Sequence, residues 1–257
     1  MRRKLLIWLV ACVTPLAARA ETLQFDFAQD HHGFIAGFVD YPVGEDTFFE
    51  LESGLRPLPS NLGQATSLFI SGNNHSDDLF IFYKRNISGL TPSTSYRLGF
   101  DIQFATEAAF GSFGIGGSPA HSVYLKAGAS ALEPAGIVQN GDYRLNVDKG
   151  QQASPGAAAL VLGDVSKPDG APAGFQLVSR ASGAEFLAAT SSPAGDLWLF
   201  FGTDSGFEGT TSLYYTDFNV TLEPIPEPTT AALGALAILI AATAVAMRHR
   251  SSFVIRH

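Results

Sequence analysis

Three groups of residues have the types and spacing to do chemistry. The first is acidic: Asp26 and Asp30 near the start, Asp77 and Asp78 in Asn73-Asn74-His75-Ser76-Asp77-Asp78, and Asp217 near the end. Calcium takes several oxygen ligands from flexible loops. These residues are therefore the expected holders of a structural calcium, with Asp26 or Asp30 meeting Asp217 if the terminal strands pair. Glu45-Asp46, Asp101, Asp204 and Glu208 add further carboxylates. Two acids facing each other ~5–10 Å apart would suit sugar hydrolysis, a geometry that spacing along a chain does not define. The second group is aromatic: Tyr83, Trp198 and Tyr215 have the flat apolar faces that stack on sugar rings. The third is Pro226-Glu227-Pro228, directly before an apolar run.

Other chemistry finds little support. His31, His32, His75 and His121 form no H-E-x-x-H pattern, and the side chains of the adjacent pair should diverge. The segment around His75 reads as an Asx-type turn. Residues 116–120 lack the last glycine of a nucleophile elbow. Residues 110–117 lack the Lys-Ser/Thr ending of a phosphate loop. No catalytic residue is assigned, and the ligand-binding and metal-binding residues stay open.

The two ends carry addresses. Arg2-Arg3-Lys4, an apolar run over 5–13 and the triplet Ala18-Arg19-Ala20 are the three parts of a secretory signal, with signal peptidase cutting after Ala20. Leu9-Val10-Ala11-Cys12 also fits a lipoprotein box, but its apolar core would be short; both readings export the chain. At the other end, residues 231–247 form an apolar run of 17 residues. As a helix it would be about 26 Å long against a hydrocarbon core of about 30 Å. Arg248 and Arg250 follow and should stay cytoplasmic, leaving the rest outside.

Pro226-Glu227-Pro228, the span and the basic end together resemble the PEP-CTERM sorting signal. That resemblance implies a substrate of exosortase, a membrane transpeptidase-like enzyme of Gram-negative bacteria that make exopolysaccharide. It implies an inner-membrane-anchored precursor, held by its C-terminal helix, that is later released to the cell surface or beyond. The expected organisation is a signal peptide over 1–20, an exported domain over 21–223 and a sorting tail over 224–257, with the transmembrane helix at about 231–247 and the basic end at 248–250.

The exported part holds nine Lys and Arg against 23 Asp and Glu, a net charge of −14. That excludes a nucleic-acid partner on electrostatic grounds. The sole cysteine, Cys12, lies in the leader, so the domain has no disulfide and no thiol chemistry.

What must position any site is a set of short strands. Apolar runs at 23–27, 47–51, 67–71, 79–84, 95–104, 122–127, 143–147, 175–179, 185–188, 197–201 and 212–222 alternate with Gly, Pro, Ser and Thr. This pattern predicts an all-β domain, a β-sandwich. Strict alternation places Tyr96, Leu98, Phe100, Ile102 and Phe104 on one face. The same rule puts Tyr214, Thr216, Phe218, Val220 and Leu222 together. Residues 79–83 and 197–201 are apolar at every position, as in central strands covered on both sides or strands that carry an aromatic patch outward. Residues 107–117 and 151–174 read as loops.

Residues 87–104, with Gly89-Leu90-Thr91-Pro92 and Tyr96 leading into a strand, resemble a segment of jelly-roll and galactose-binding-like modules. Residues 202–209 resemble their closing hairpin. These resemblances imply a jelly-roll-like sandwich. The expected function is a non-enzymatic surface or matrix protein that binds carbohydrate and is linked to exopolysaccharide and biofilm. The alternatives are a jelly-roll polysaccharide hydrolase or lyase, and a structural protein that self-associates through aromatic strand edges.

Overall fold

The structure is a computed structural model and describes residues 20–226. Ala18, Cys12, Glu227, Pro228, the 231–247 run, Arg248 and Arg250 lie outside the described residues. Ala20 and Pro226 are exposed coil residues. Among the described residues no helix is long and apolar enough to cross a membrane.

The described chain is all-β. Its strands are β1 Glu21–Asp26, β2 Ile35–Val39, β3 Tyr41–Pro42, β4 Glu52–Pro57, β5 Thr66–Asn73, β6 Leu79–Ile87, β7 Ser95–Thr106 and β8 Val123–Ser130. They continue as β9 Gly136–Gln139, β10 Asp142–Leu145, β11 Ala159–Asp164, β12 Gln176–Ala181, β13 Leu187–Thr190, β14 Leu197–Ser205 and β15 Thr210–Pro224. Seven strands form one antiparallel sheet in the order β12-β7-β15-β5-β4, with β1 added to β15 and β13 to β7. Five form the second, β11-β8-β14-β6-β2. A small sheet, β3-β10-β9, completes the set.

The two large sheets make a sandwich, because each has a face of period-two apolar residues that must leave water. Tyr96, Leu98, Phe100, Ile102 and Phe104 of β7 are all buried, as their alternation predicts. From the second sheet Leu79, Ile81, Tyr83, Leu125, Leu197, Leu199 and Phe201 enter the same core. Phe201 packs 4.4 Å from Phe218 and 4.9 Å from Tyr215 between ring centroids, with a near-perpendicular approach to the tyrosine.

β15 departs from strict alternation. Leu213 and Tyr215 face the core, and then Phe218, Val220 and Leu222 do. The pairing with β7 shifts register between Tyr215 and Asp217. One extra residue, Thr216, forms a bulge that reverses the facing of everything on one side of it. Tyr214 is thereby turned away from the core and packs edge-on to Phe175 at 5.3 Å. Residues 47–51 are a turn, not a strand: Phe49 N donates to Glu45 O at 2.9 Å, and Glu50 has a positive φ of 50°. The 151–174 stretch, read as a loop, contains β11.

Candidate functional site

The outer face of the five-stranded sheet is divided into a covered and an open half. On β6 and β14 the residues opposite the core set are Phe80, Phe82, Lys84 and Asn86, and Trp198, Phe200, Gly202 and Asp204. The covered half buries Phe80, Phe82 and Phe200 with Val39 and Ala159, beneath Tyr143, Leu145, Val147 and Ala158. Both faces of 79–83 and of 199–201 are thus covered, while at Trp198 the outer face is open. Gly128 lets the cover lie flat: a Cβ there would meet the Ala158 carbonyl and the Phe200 ring.

In the open half, Trp198 sits half-buried between its cross-strand neighbours Asn86 and Ser130. With the Asn86 amide turned so that its oxygen meets the indole, Trp198 Nε1 donates to it at 3.1 Å. Lys84 Nζ lies 5.7 Å from the indole centroid and donates to Glu133 Oε1 at 2.7 Å and Pro134 O at 2.8 Å. The indole orientation is therefore set from two sides. A flat apolar ring bordered by an amide, an ammonium and a carboxylate suits a ligand with apolar C–H faces and a polar rim. Tyr83 and Tyr215 are core residues, 2% and 0% exposed, and offer no such platform. Between the sheets Tyr83 OH donates to Phe69 O and accepts from Gly54 N at 3.1 Å.

A charged cluster fastens the cover to the sheet. Asp204 Oδ2 accepts from Lys149 Nζ at 2.7 Å and Gln152 N at 2.8 Å, and pairs with Lys126 Nζ at 2.9 Å. Lys126 Nζ also donates to Lys149 O at 2.9 Å and Ser154 O at 3.1 Å. Lys149 Nζ lies 2.9 Å from Asp40 Oδ2, and Arg144 joins Asp40, Asp78 and Asp142 at 3.2, 3.1 and 2.9 Å. Burial lowers the Lys126 pKa. In Lys149 burial acts the same way, but the Asp204 and Asp40 carboxylates outweigh it and the pKa is raised.

Asp40, Asp78 and Asp204 bring carboxylate oxygens within 4.8 Å of one another. The donor set does not fit a divalent cation, because the Lys126 and Lys149 ammoniums already stand against these oxygens and would be repelled by it. The cluster is also buried and closer than the spacing that carboxylate-catalysed sugar hydrolysis uses.

Asp78 gives this cluster a pH dependence. Burial first, and then the neighbouring Asp40 and Asp204 carboxylates, push it up to about 6 from 3.8, against the opposing pull of Lys149. Between these values the folded chain holds a proton that the unfolded chain has released, so this group's contribution to stability falls as pH rises. At about 1.4 kcal/mol per pKa unit, the wild type should lose roughly 2–3 kcal/mol relative to Asp78→Asn between pH 4 and pH 7. Urea unfolding of both proteins at the two pH values checks this; a pH-independent difference contradicts it.

The other residues singled out by sequence are scattered. Asp26 and Asp217 do meet, as directly paired residues of β1 and β15. Burial, and then Asp26 and Asp101, raise the Asp217 pKa. Asp30 is exposed and 4.0 Å from His31, and Asp77 is an exposed residue with a positive φ of 60°. His31 and His32 diverge: His31 Nδ1 accepts from Gly33 N, while His32 Nε2 bonds Asp26 O. Asn74 Oδ1 accepts from Ser76 N at 3.0 Å in the expected Asx turn, and His75 stacks on Phe48 at 4.0 Å. His121 and Asp164 are joined at 2.7 Å, with Ser166 and Arg180 also on Asp164.

Sequence reasoning missed Lys126, Lys149 and Arg144. A lysine in the apolar run of β8 was the available signal.

No family model matches the chain, and no curated protein matches it. Similar solved structures include TmCBM27, described as a carbohydrate-binding module that recognises mannan, at 11% identity and TM-score 0.39 over 81% of this chain and 100% of that one. The family 11 carbohydrate-binding module of a Clostridium thermocellum cellulosomal cellulase matches at 10% identity and TM-score 0.33, over 82% and 98% of the two chains. The enzymatically active domain of bacteriophage CBA120 tailspike protein 4 matches 75% of this chain at 12% identity and TM-score 0.28; this chain spans 19% of its length. At these TM-scores the likenesses carry no functional argument.

Proposed function

We propose that the chain is an exported surface protein, sorted by exosortase through Pro226-Glu227-Pro228, whose β-sandwich binds carbohydrate without altering it covalently. The observation that carries the binding claim is Trp198, an oriented, half-buried indole on the open part of an otherwise covered sheet face. Its neighbours Asn86, Lys84 and Glu133 supply donors and acceptors for hydroxyl groups around a stacked ring. The leader and the PEP-CTERM-like tail support the export and sorting part of this reading, under which the domain would meet extracellular polysaccharide. The acidic net charge favours a monomeric, soluble domain over adhesion to anionic lipid.

The test is affinity electrophoresis and a glycan array with the wild type and Trp198→Ala. Truncating a central aromatic anchor costs about 2 kcal/mol, so affinity should fall about 30-fold in a variant that circular dichroism shows to be folded at the assay temperature. A variant that binds as the wild type does would remove the Trp198 face from the account.

A further inference from the structure

Among the described residues there are nine Lys and Arg side chains between positions 21 and 223. Seven hold carboxylates: Arg56, Lys84, Arg97, Lys126, Arg144, Lys149 and Arg180. Lys167 holds the carbonyls of Pro172 and Gly174. Arg85 is the remaining one. Among the described residues its guanidinium makes no ion pair and no hydrogen bond; it lies over the ring faces of Phe25 at 4.7 Å and Phe34 at 5.9 Å. With 23 acidic residues for nine basic ones, an unpaired half-buried base needs an explanation.

The fold leaves Arg85 in a gap. β2 pairs with β6 only as far as Ile35 opposite Lys84. Beyond that point Arg85, Asn86 and Ile87 keep β14 on one side and have no sheet partner on the other. A cavity of about 290 Å³ opens there, between the end of β6 and β1 of the other sheet. Arg85, Asn86 and Ser88 line it with Leu23 and Phe25, and Glu21 is its one acid. The guanidinium is oriented by the rings beneath it, so its fork loses little freedom on binding.

We propose that this cavity is a subsite for the carboxylate of a uronic acid residue in an acidic polysaccharide. A guanidinium fork matches a planar carboxylate with two parallel hydrogen bonds. One cation in a domain of net charge −14 suits a monoanion better than a phosphate dianion, which would need further positive charge. The volume lies at the small end of ligand pockets and suits a single ring. Arg85 and Trp198 lie on opposite faces of their sheet: Asn86 lines the cavity at the strand edge while its side chain accepts the indole N–H on the outer face. The proposal thus deepens the carbohydrate reading and rests on it for the class of macromolecule.

The experiment is calorimetric titration of the full-length chain in detergent with galacturonate, glucuronate and mannuronate trimers and their neutral counterparts. A sulfated trimer separates carboxylate recognition from attraction to any anion. The wild type should prefer at least one uronate trimer over its neutral counterpart by tenfold or more, and over the sulfated sugar. Arg85→Met should abolish that preference while leaving neutral binding unchanged. Arg85→Lys keeps the charge but not the fork, and should retain only a small part of it with an unaltered melting temperature. Trp198→Ala should weaken acidic and neutral sugars alike. If Trp198→Ala changes nothing while Arg85→Met removes uronate binding, the indole face fails and the subsite stands. Equal affinity for acidic and neutral sugars, no binding of any uronate, or a preference that survives both Arg85 variants overturns the subsite.

Discussion

Asp204→Ala should cost the domain about 3–5 kcal/mol of stability, the cost of removing one partner from a buried ion pair. Asp204 is fully buried and its Oδ2 faces Lys126, Lys149 and the Gln152 amide together. Truncation leaves two ammoniums with lost compensation: Lys126, 0% exposed, keeps only carbonyl acceptors, and Lys149 keeps Asp40. The segment after β10 should then separate from the sheet more readily than the core unfolds. Urea unfolding gives the magnitude. Asp204→Ala combined with Lys126→Met, which removes the stranded charge as well, should recover part of the loss. A loss below about 1 kcal/mol would mean that the cluster is not what holds the cover down.

The second large effect concerns sorting. Replacing Pro226, Glu227 and Pro228 together by Ala should leave export and membrane insertion intact and block processing altogether, so that the uncleaved form accumulates in the inner membrane. The two prolines lack amide donors and fix φ, which disfavours their inclusion beyond the first turn of a helix and would favour an extended motif. On the sorting reading, Glu227 would resist transfer into hydrocarbon and so fix the depth of the motif. A plain anchor would need only the apolar run and the basic end. Immunoblots of fractionated cells with active exosortase decide between the two; a triple variant that matures like the wild type would reduce the motif to a spacer.

The parts of the fold legible in sequence were those where one physical rule acts alone. β7 alternates over its length and buries the residues that alternation selects. Residues 79–83 of β6 and 199–201 of β14 are apolar at every position because these parts of two central strands have a core on one side and a cover on the other. β15 was half legible: its existence is plain, but the bulge at Thr216 is set by pairing with β7, and no local signal marks it. β11 escaped because glycine, alanine and proline around it hide a strand whose partner is β8. The charged cluster was illegible for a related reason. Asp40, Lys126, Lys149 and Asp204 come from distant parts of the chain, and only the sheet register of β8 and β14 brings Lys126 beside Asp204. Of the three aromatic residues read as stacking candidates, burial removes Tyr83 and Tyr215, and the outward parity of β14 keeps Trp198.

Trp198 also makes the central claim directly measurable. Trp8 and Trp198 are the chain's two tryptophans, so a chain beginning at Glu21 has Trp198 as its only indole. Its indole emission, excited at the red edge where the seven tyrosines do not absorb, reports on the proposed face. Titration with acidic polysaccharide should shift the emission to shorter wavelength along a saturable curve that coincides with calorimetric binding, as a sugar ring displaces water from the indole. Emission that stays constant while calorimetry records binding would place the carbohydrate elsewhere on the molecule and contradict the account.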